Sequence, residues 1–94
     1  MKIEVGMNVK AKSDLIIYNG TFKSTNHTAK VVTVDNDEIV VKFDKHFEDL
    51  EEWDNHYIIT REDYESSVEH SGDWLGERNI ESFIDYFLFH FEVV

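Results

Sequence analysis

Twenty of the 94 residues are Asp or Glu and five are His, so chemistry is sought first among carboxylates and imidazoles. Glu51/Glu52 and Asp35/Asp37 are adjacent or near-adjacent acids. Glycoside cleavage needs two carboxyls held across a cleft at a defined gap. Neighbours on a charged loop do not provide that, so these pairs read as a solvated face. Asp54-x-His56, with His46 and Asp44 nearby, offers ligand types that zinc or manganese accept. The fixed spacing of a His-Glu-x-x-His helix is missing. Asp35-Asn36-Asp37 resembles part of a calcium loop but lacks its glycine and distal glutamate. Ser66, Ser67 and Ser71 flank His70, yet a catalytic triad is a three-dimensional arrangement and not a run of neighbours. There is no Gly-x-Ser-x-Gly elbow, Walker loop or dinucleotide fingerprint, and cysteine is absent. The expectation is a protein that is not an enzyme, with no cofactor and no metal.

The charge is unevenly distributed. Residues 1–34 carry five Lys against Glu4 and Asp14, a balance of +3. Residues 35–94 carry eighteen acids against Lys42, Lys45, Arg61 and Arg78, a balance of −14, and the total is −11. The densest stretch runs from Asp44 to Asp54 and holds Asp44, Glu48, Asp49, Glu51, Glu52 and Asp54 around Phe47, Leu50 and Trp53. Nucleic-acid binding is led by Lys and Arg on phosphate, so this balance argues against it, and against anionic membranes. It favours a basic protein partner or a cation. Trp53 either closes the bottom of the fold or stands as a partly exposed anchor for that partner. A second acidic row is expected along a C-terminal helix, where Glu77, Glu81, Asp85 and Glu92 flank an apolar stripe. Acids four residues apart rise about 6 Å, comparable to the phosphate path of a nucleic-acid strand.

These groups need elements to position them. Met7 to Lys12 alternates apolar and polar, as a half-buried strand does. Leu15-Ile16-Ile17-Tyr18, then Asn19-Gly20, then Thr21-Phe22-Lys23 reads as a hairpin. Ala29–Val34 and Glu38–Phe43 form a second hairpin about Asp35-Asn36-Asp37, with Ile39, Val41 and Phe43 on one face. Phe47, Leu50 and Trp53 recur every three residues, the period of a 3₁₀ turn. His56–Ile59 is a closing strand. Thr60-Arg61-Glu62-Asp63 has the form of a capping box that starts one turn through Tyr64. Residues 66–72 read as a linker. Beyond it, Ile80, Phe83, Ile84, Phe87, Leu88 and Phe91 form a helical stripe, with Asp73 or Asn79 as its cap and Trp74 stapling the helix to the strands. Phe87, Phe89, Phe91 and Val93 also alternate, so the helix is expected through about Leu88 with extended residues after it. Tyr86 and Phe89 fall off the stripe and are expected to be exposed, available for self-association.

The order Gly6, Val9, Ala29–Val34, Val40–Asp44 and Trp53-Asp54 resembles small phage-encoded SH3-like β-barrel domains over residues 5–65. The resemblance implies a barrel and a phage origin. Basic members of that class bind RNA or ribosomes, and the charge here departs from them.

The expected architecture is therefore α+β or mostly β: one domain with a small, partly open SH3-like barrel of about five antiparallel strands (5–65), a linker (66–72) and a helical segment packed on it (73–94). The expected function is an inhibitor that presents a DNA-mimic acidic surface to a basic nucleic-acid-binding host or defence protein. Asp44, Glu48, Asp49, Glu51, Glu52, Trp53, Asp54, Glu81 and Asp85 would contact that partner. The alternative is a protein–protein interaction or assembly module with a homodimer through Tyr86 and Phe89. The N-terminus lacks a signal-peptide apolar run, so the expected location is cytoplasmic, and the host cytoplasm if the protein is phage-encoded.

Overall fold

The computed structural model describes residues 2–17, 20–77 and 82–94, and for 70–77 only the course of the backbone. Strands are β1 (Asn8–Ala11), β2 (Leu15–Ile17), β3 (Gly20–Phe22), β4 (Thr28–Val34), β5 (Glu38–Phe43), β6 (His56–Thr60) and β7 (Phe91–Val93). A 3₁₀ segment spans Glu48–Trp53, and the helices are α1 (Arg61–Glu77) and α2 (Phe83–His90). The main sheet is antiparallel with order β6-β5-β4-β1-β7, and β2 and β3 form a separate ribbon.

The β4–β5 hairpin follows from its turn chemistry. The Asp35 carboxylate accepts from the backbone N–H of Asp37 (2.8 Å) and Glu38 (2.9 Å), closing an Asx turn. Ile39, Val41 and Phe43 then face the core, all buried. The register slips between Val31 and Thr33, and this bulge bends β4 and sharpens the local twist. The sheet curls until Tyr57 on one edge strand and Phe91 on the other lie 6.4 Å apart, ring to ring. Among the described residues no ladder joins those edges, so the sheet is curled but not closed into a barrel. The core it wraps holds Val9, Val31, Ile39, Val41 and Phe87, all with no exposed surface. Buried Ser24 ties the ribbon down: its hydroxyl accepts from Leu15 N–H and donates to Ser13 C=O, both at 2.9 Å.

The C-terminal third departs most from expectation. Residues 66–72 are not a linker but the middle of α1. The Thr60 hydroxyl does accept from Asp63 N–H (3.0 Å), and the helix so started runs on far past Tyr64. Glu62 and Asp63 favour its N-terminal dipole. Its exposed Val68 explains why no apolar stripe announced it. The cap of α2 is Ser82, whose hydroxyl accepts from Asp85 N–H at 3.1 Å; it is neither Asp73, which lies within α1, nor Asn79, which lies outside the described residues. The helix ends at His90, and Phe91–Val93 become the fifth strand of the main sheet, on β1. The stapling role expected of Trp74, and Ile80 of the stripe, fall outside what is described. Among the described residues no helix is long and apolar enough to cross a membrane.

Candidate functional site

The acidic stretch is held by one residue that the sequence reading passed over. Asn55 is 9% exposed, and its side-chain oxygen accepts from Phe47 N–H at 2.9 Å. Its amide donates to Phe43 C=O (2.7 Å) and to Lys45 C=O (2.9 Å), while its own backbone N–H reaches Leu50 C=O (3.0 Å). Asp54 and Asn55 both adopt left-handed backbone, φ 52° and 64°, a conformation that Asn and Asp tolerate better than most side chains. Phe47 seats the loop from below, with ring centroids 5.2 Å from Phe22, Phe43 and His27. Leu50 is buried beside it.

This frame decides what faces out. Phe47 and Leu50 turn inward, but Trp53, third in the same period, is 41% exposed. Glu48, Asp49, Glu51, Glu52 and Asp54 are all exposed around it. Asp44, also exposed, accepts from the Thr28 hydroxyl. Asp54 sits 4.0 Å from Lys42, an exposed pair that contributes little. The loop therefore displays an indole and a set of carboxylates on a rigid base.

Beside Trp53 runs a groove of about 230 Å³. Ile16 and Ile17 of β2 form one wall, and His56, Tyr57 and Ile58 of β6 form the other. Leu50, Trp53 and Asp63 complete it. The Tyr57 hydroxyl donates to Ile16 C=O at 2.9 Å across the gap. Burial, then the charges of Tyr86 and Asp63, push the Tyr57 phenol up to about 12. Past this bridge a wider cleft of about 560 Å³ opens between the ribbon, α1 and α2. Comparison with protein-family models, curated proteins and solved structures finds no match.

The second acidic row does not form as expected. Glu92 lies on β7, where it pairs with Lys10 at 2.9 Å, so it is not on the helix that carries Asp85. The strand pairing of Phe91–Val93 with β1 removes Glu92 from any helical track. Asp85 is half-buried in the first turn of α2; Glu81 and the Glu77 side chain lie outside the described residues. Two of the N-terminal bases are engaged at the same place: Lys10 with Glu92, and Lys12, whose ammonium donates to Leu88 C=O (3.2 Å) at the end of α2. Tyr86 and Phe89 are half-buried rather than exposed. The Tyr86 ring packs against Tyr64 (5.6 Å) and His90 (4.8 Å), and Phe89 lies 5.2 Å from His90. The helix is short and tucked behind α1, so residues off the apolar stripe still meet neighbours. Among the described residues no three His, Asp or Glu side chains converge to hold a metal ion. His56 turns its Nδ1 to Trp53 C=O instead (3.0 Å).

His90 gives the fold a pH response. Burial lowers its pKa; the Tyr86 carbonyl at Nδ1 (2.9 Å) and Asp63 oppose this, and Lys12 adds to it. The native state then binds its proton less readily than the unfolded chain. Stability is complete above the unfolded value of 6.5 and declines as pH falls below it. Equilibrium urea unfolding of the parent chain and His90→Gln should therefore diverge between neutral pH and about pH 5.5, with the parent losing more stability.

Proposed function

We propose that this chain is a non-enzymatic docking protein that binds a basic protein surface through the Glu48–Asp54 loop. The observation that carries this reading is the pairing of Trp53 with five exposed carboxylates on a loop locked from inside by Asn55. An aromatic anchor ringed by charge supplies affinity at its centre, while the carboxylates steer association with Lys and Arg. Where the partner's basic surface is a nucleic-acid site, the bound loop excludes the nucleic acid, so inhibition of a host or defence protein by a phage product is the biological setting proposed. The curled five-stranded sheet supports an SH3-like reading of the scaffold. Among the described residues the loop carries the mimic surface, with Glu92 drawn away to β7.

A second reading is favoured by the groove between β2 and β6: an interaction module that grips a peptide there. Both readings place the partner beside Trp53. The test is capture of partners from host lysate at low and high salt, with the parent chain and with Glu51→Lys/Glu52→Lys. A basic partner, released by salt and lost in the double variant, is the expected result. Capture that charge reversal leaves unchanged rejects the electrostatic reading.

A further inference from the structure

We infer that the groove is a strand-addition site, and that its occupant is an extended peptide segment alternating basic and apolar residues. This rests on the docking reading above and names what the partner inserts. Consecutive residues of a strand point to opposite faces. A groove touched by His56, Tyr57 and Ile58 in succession therefore runs along the open edge of β6, not over a face. The same holds for Ile16 and Ile17 on β2. Among the described residues each of these strands has a ladder partner on one side only, β5 for β6 and β3 for β2. The Tyr57 side chain connects them as a strut, so the two edges are held apart without pairing.

Exposed edges invite another strand, and proteins usually blunt them with Lys or Pro. Among the described residues the groove lining holds neither. It holds Ile16 and Ile58, 74% and 42% exposed, beside Trp53. The charge chooses the occupant. Asp63 lines the groove, Glu51, Glu52 and Asp54 flank Trp53, and among the described residues no lining side chain is Lys or Arg. A second copy of this chain, itself at −11, is repelled. A peptide whose backbone pairs with β6, whose apolar residues cover Ile16 and Ile58 and whose Lys residues meet the acids satisfies all three features. Main-chain pairing then gives affinity, and alternate side chains give selectivity.

The probe is a blocked hexapeptide alternating Lys and Ile, titrated calorimetrically, with a second version N-methylated at the amides on one edge. Binding of the first, weakened about tenfold or more by N-methylation, is expected, since each lost backbone hydrogen bond contributes. Slower hydrogen exchange of β6 amides in the complex, and weaker binding by the exposed-site variant Ile58→Ser, are expected alongside. Equal binding of both peptides, unchanged β6 exchange, or no binding of either overturns the inference. Glu51→Lys/Glu52→Lys separates it from the reading on which it rests. Binding that is sensitive to N-methylation but not to charge reversal keeps the added strand and rejects the electrostatic docking. Binding abolished by reversal but indifferent to N-methylation does the opposite.

Discussion

Replacing Asn55 with Ala should cost about 3 kcal/mol of folding stability, the largest loss expected from a single polar substitution among the described residues. The side chain closes three hydrogen bonds, to Phe47 N–H, Phe43 C=O and Lys45 C=O. Truncation strands all three backbone groups, at least one of them in a buried setting, and a buried group without a partner costs about 1–3 kcal/mol. Alanine also takes the left-handed backbone of position 55 less well than asparagine. Asn55→Gly separates the two causes, because it relieves the backbone and still loses the hydrogen bonds. Asn55→Asp keeps an acceptor for Phe47 N–H but turns a carboxylate oxygen toward two carbonyls. Its destabilisation should therefore ease at low pH, as the carboxyl takes up a proton and can donate again. Urea midpoints for the three variants, measured at neutral and acidic pH, check the order. If Asn55→Gly is as stable as the parent, the hydrogen bonds are not what holds the loop.

Trp53→Ala should weaken partner binding by about tenfold to a few hundredfold while leaving the fold largely intact. The indole is 41% exposed at the lip of the groove, whereas Leu50, three residues earlier, is buried. Leu50→Ala is the contrast: it opens a cavity and should cost about 2–4 kcal/mol of stability. Binding is read by calorimetry on the basic partner or on the alternating peptide, with thermal unfolding of each variant alongside. A Trp53→Ala protein that unfolds as readily as Leu50→Ala would make Trp53 a core residue and remove it from the docking surface.

The contrast between those two residues shows what the sequence could and could not say. The three-residue period of Phe47, Leu50 and Trp53 put them on one side of a turn, and two of the three are buried as that pattern implies. It carries no information about where the core stops, which depends on how far β2 and β6 stand apart. The β4–β5 hairpin was legible because Asp35 states its turn chemistry locally. The β2–β3 ladder expected around Asn19-Gly20 is present, but Gly20 already lies in β3 opposite Ile17 rather than in the turn, and Tyr18 and Asn19 lie outside the described residues. Helix α1 was not legible, because a long polar helix with an exposed Val68 has the composition of a linker, and its start at Thr60 is the only local mark. Strand β7 was half legible: Phe91 fits a helical stripe and a strand alternation equally well, and β1 decides between them. Asn55 was invisible because a single Asn after an acidic run looks like any turn residue. Its importance comes from carbonyls ten and twelve residues away that only the fold brings to it.

The position of β1 between β4 and β7 has a consequence for synthesis. A chain made from its N-terminus presents β1 early and β7 late. Phe91 comes after every other buried residue described, yet it stacks on Phe87 and approaches Phe43 and Tyr57. While Phe91 is still inside the ribosomal tunnel, β1 has one bare flank and the aromatic cluster lacks a member. Joining β1 to β7 closes the longest loop between paired strands among the described residues, an entropic step that slows folding. Among the described strands, the pairing of β1 with β7 is therefore the one whose completion waits for the most chain.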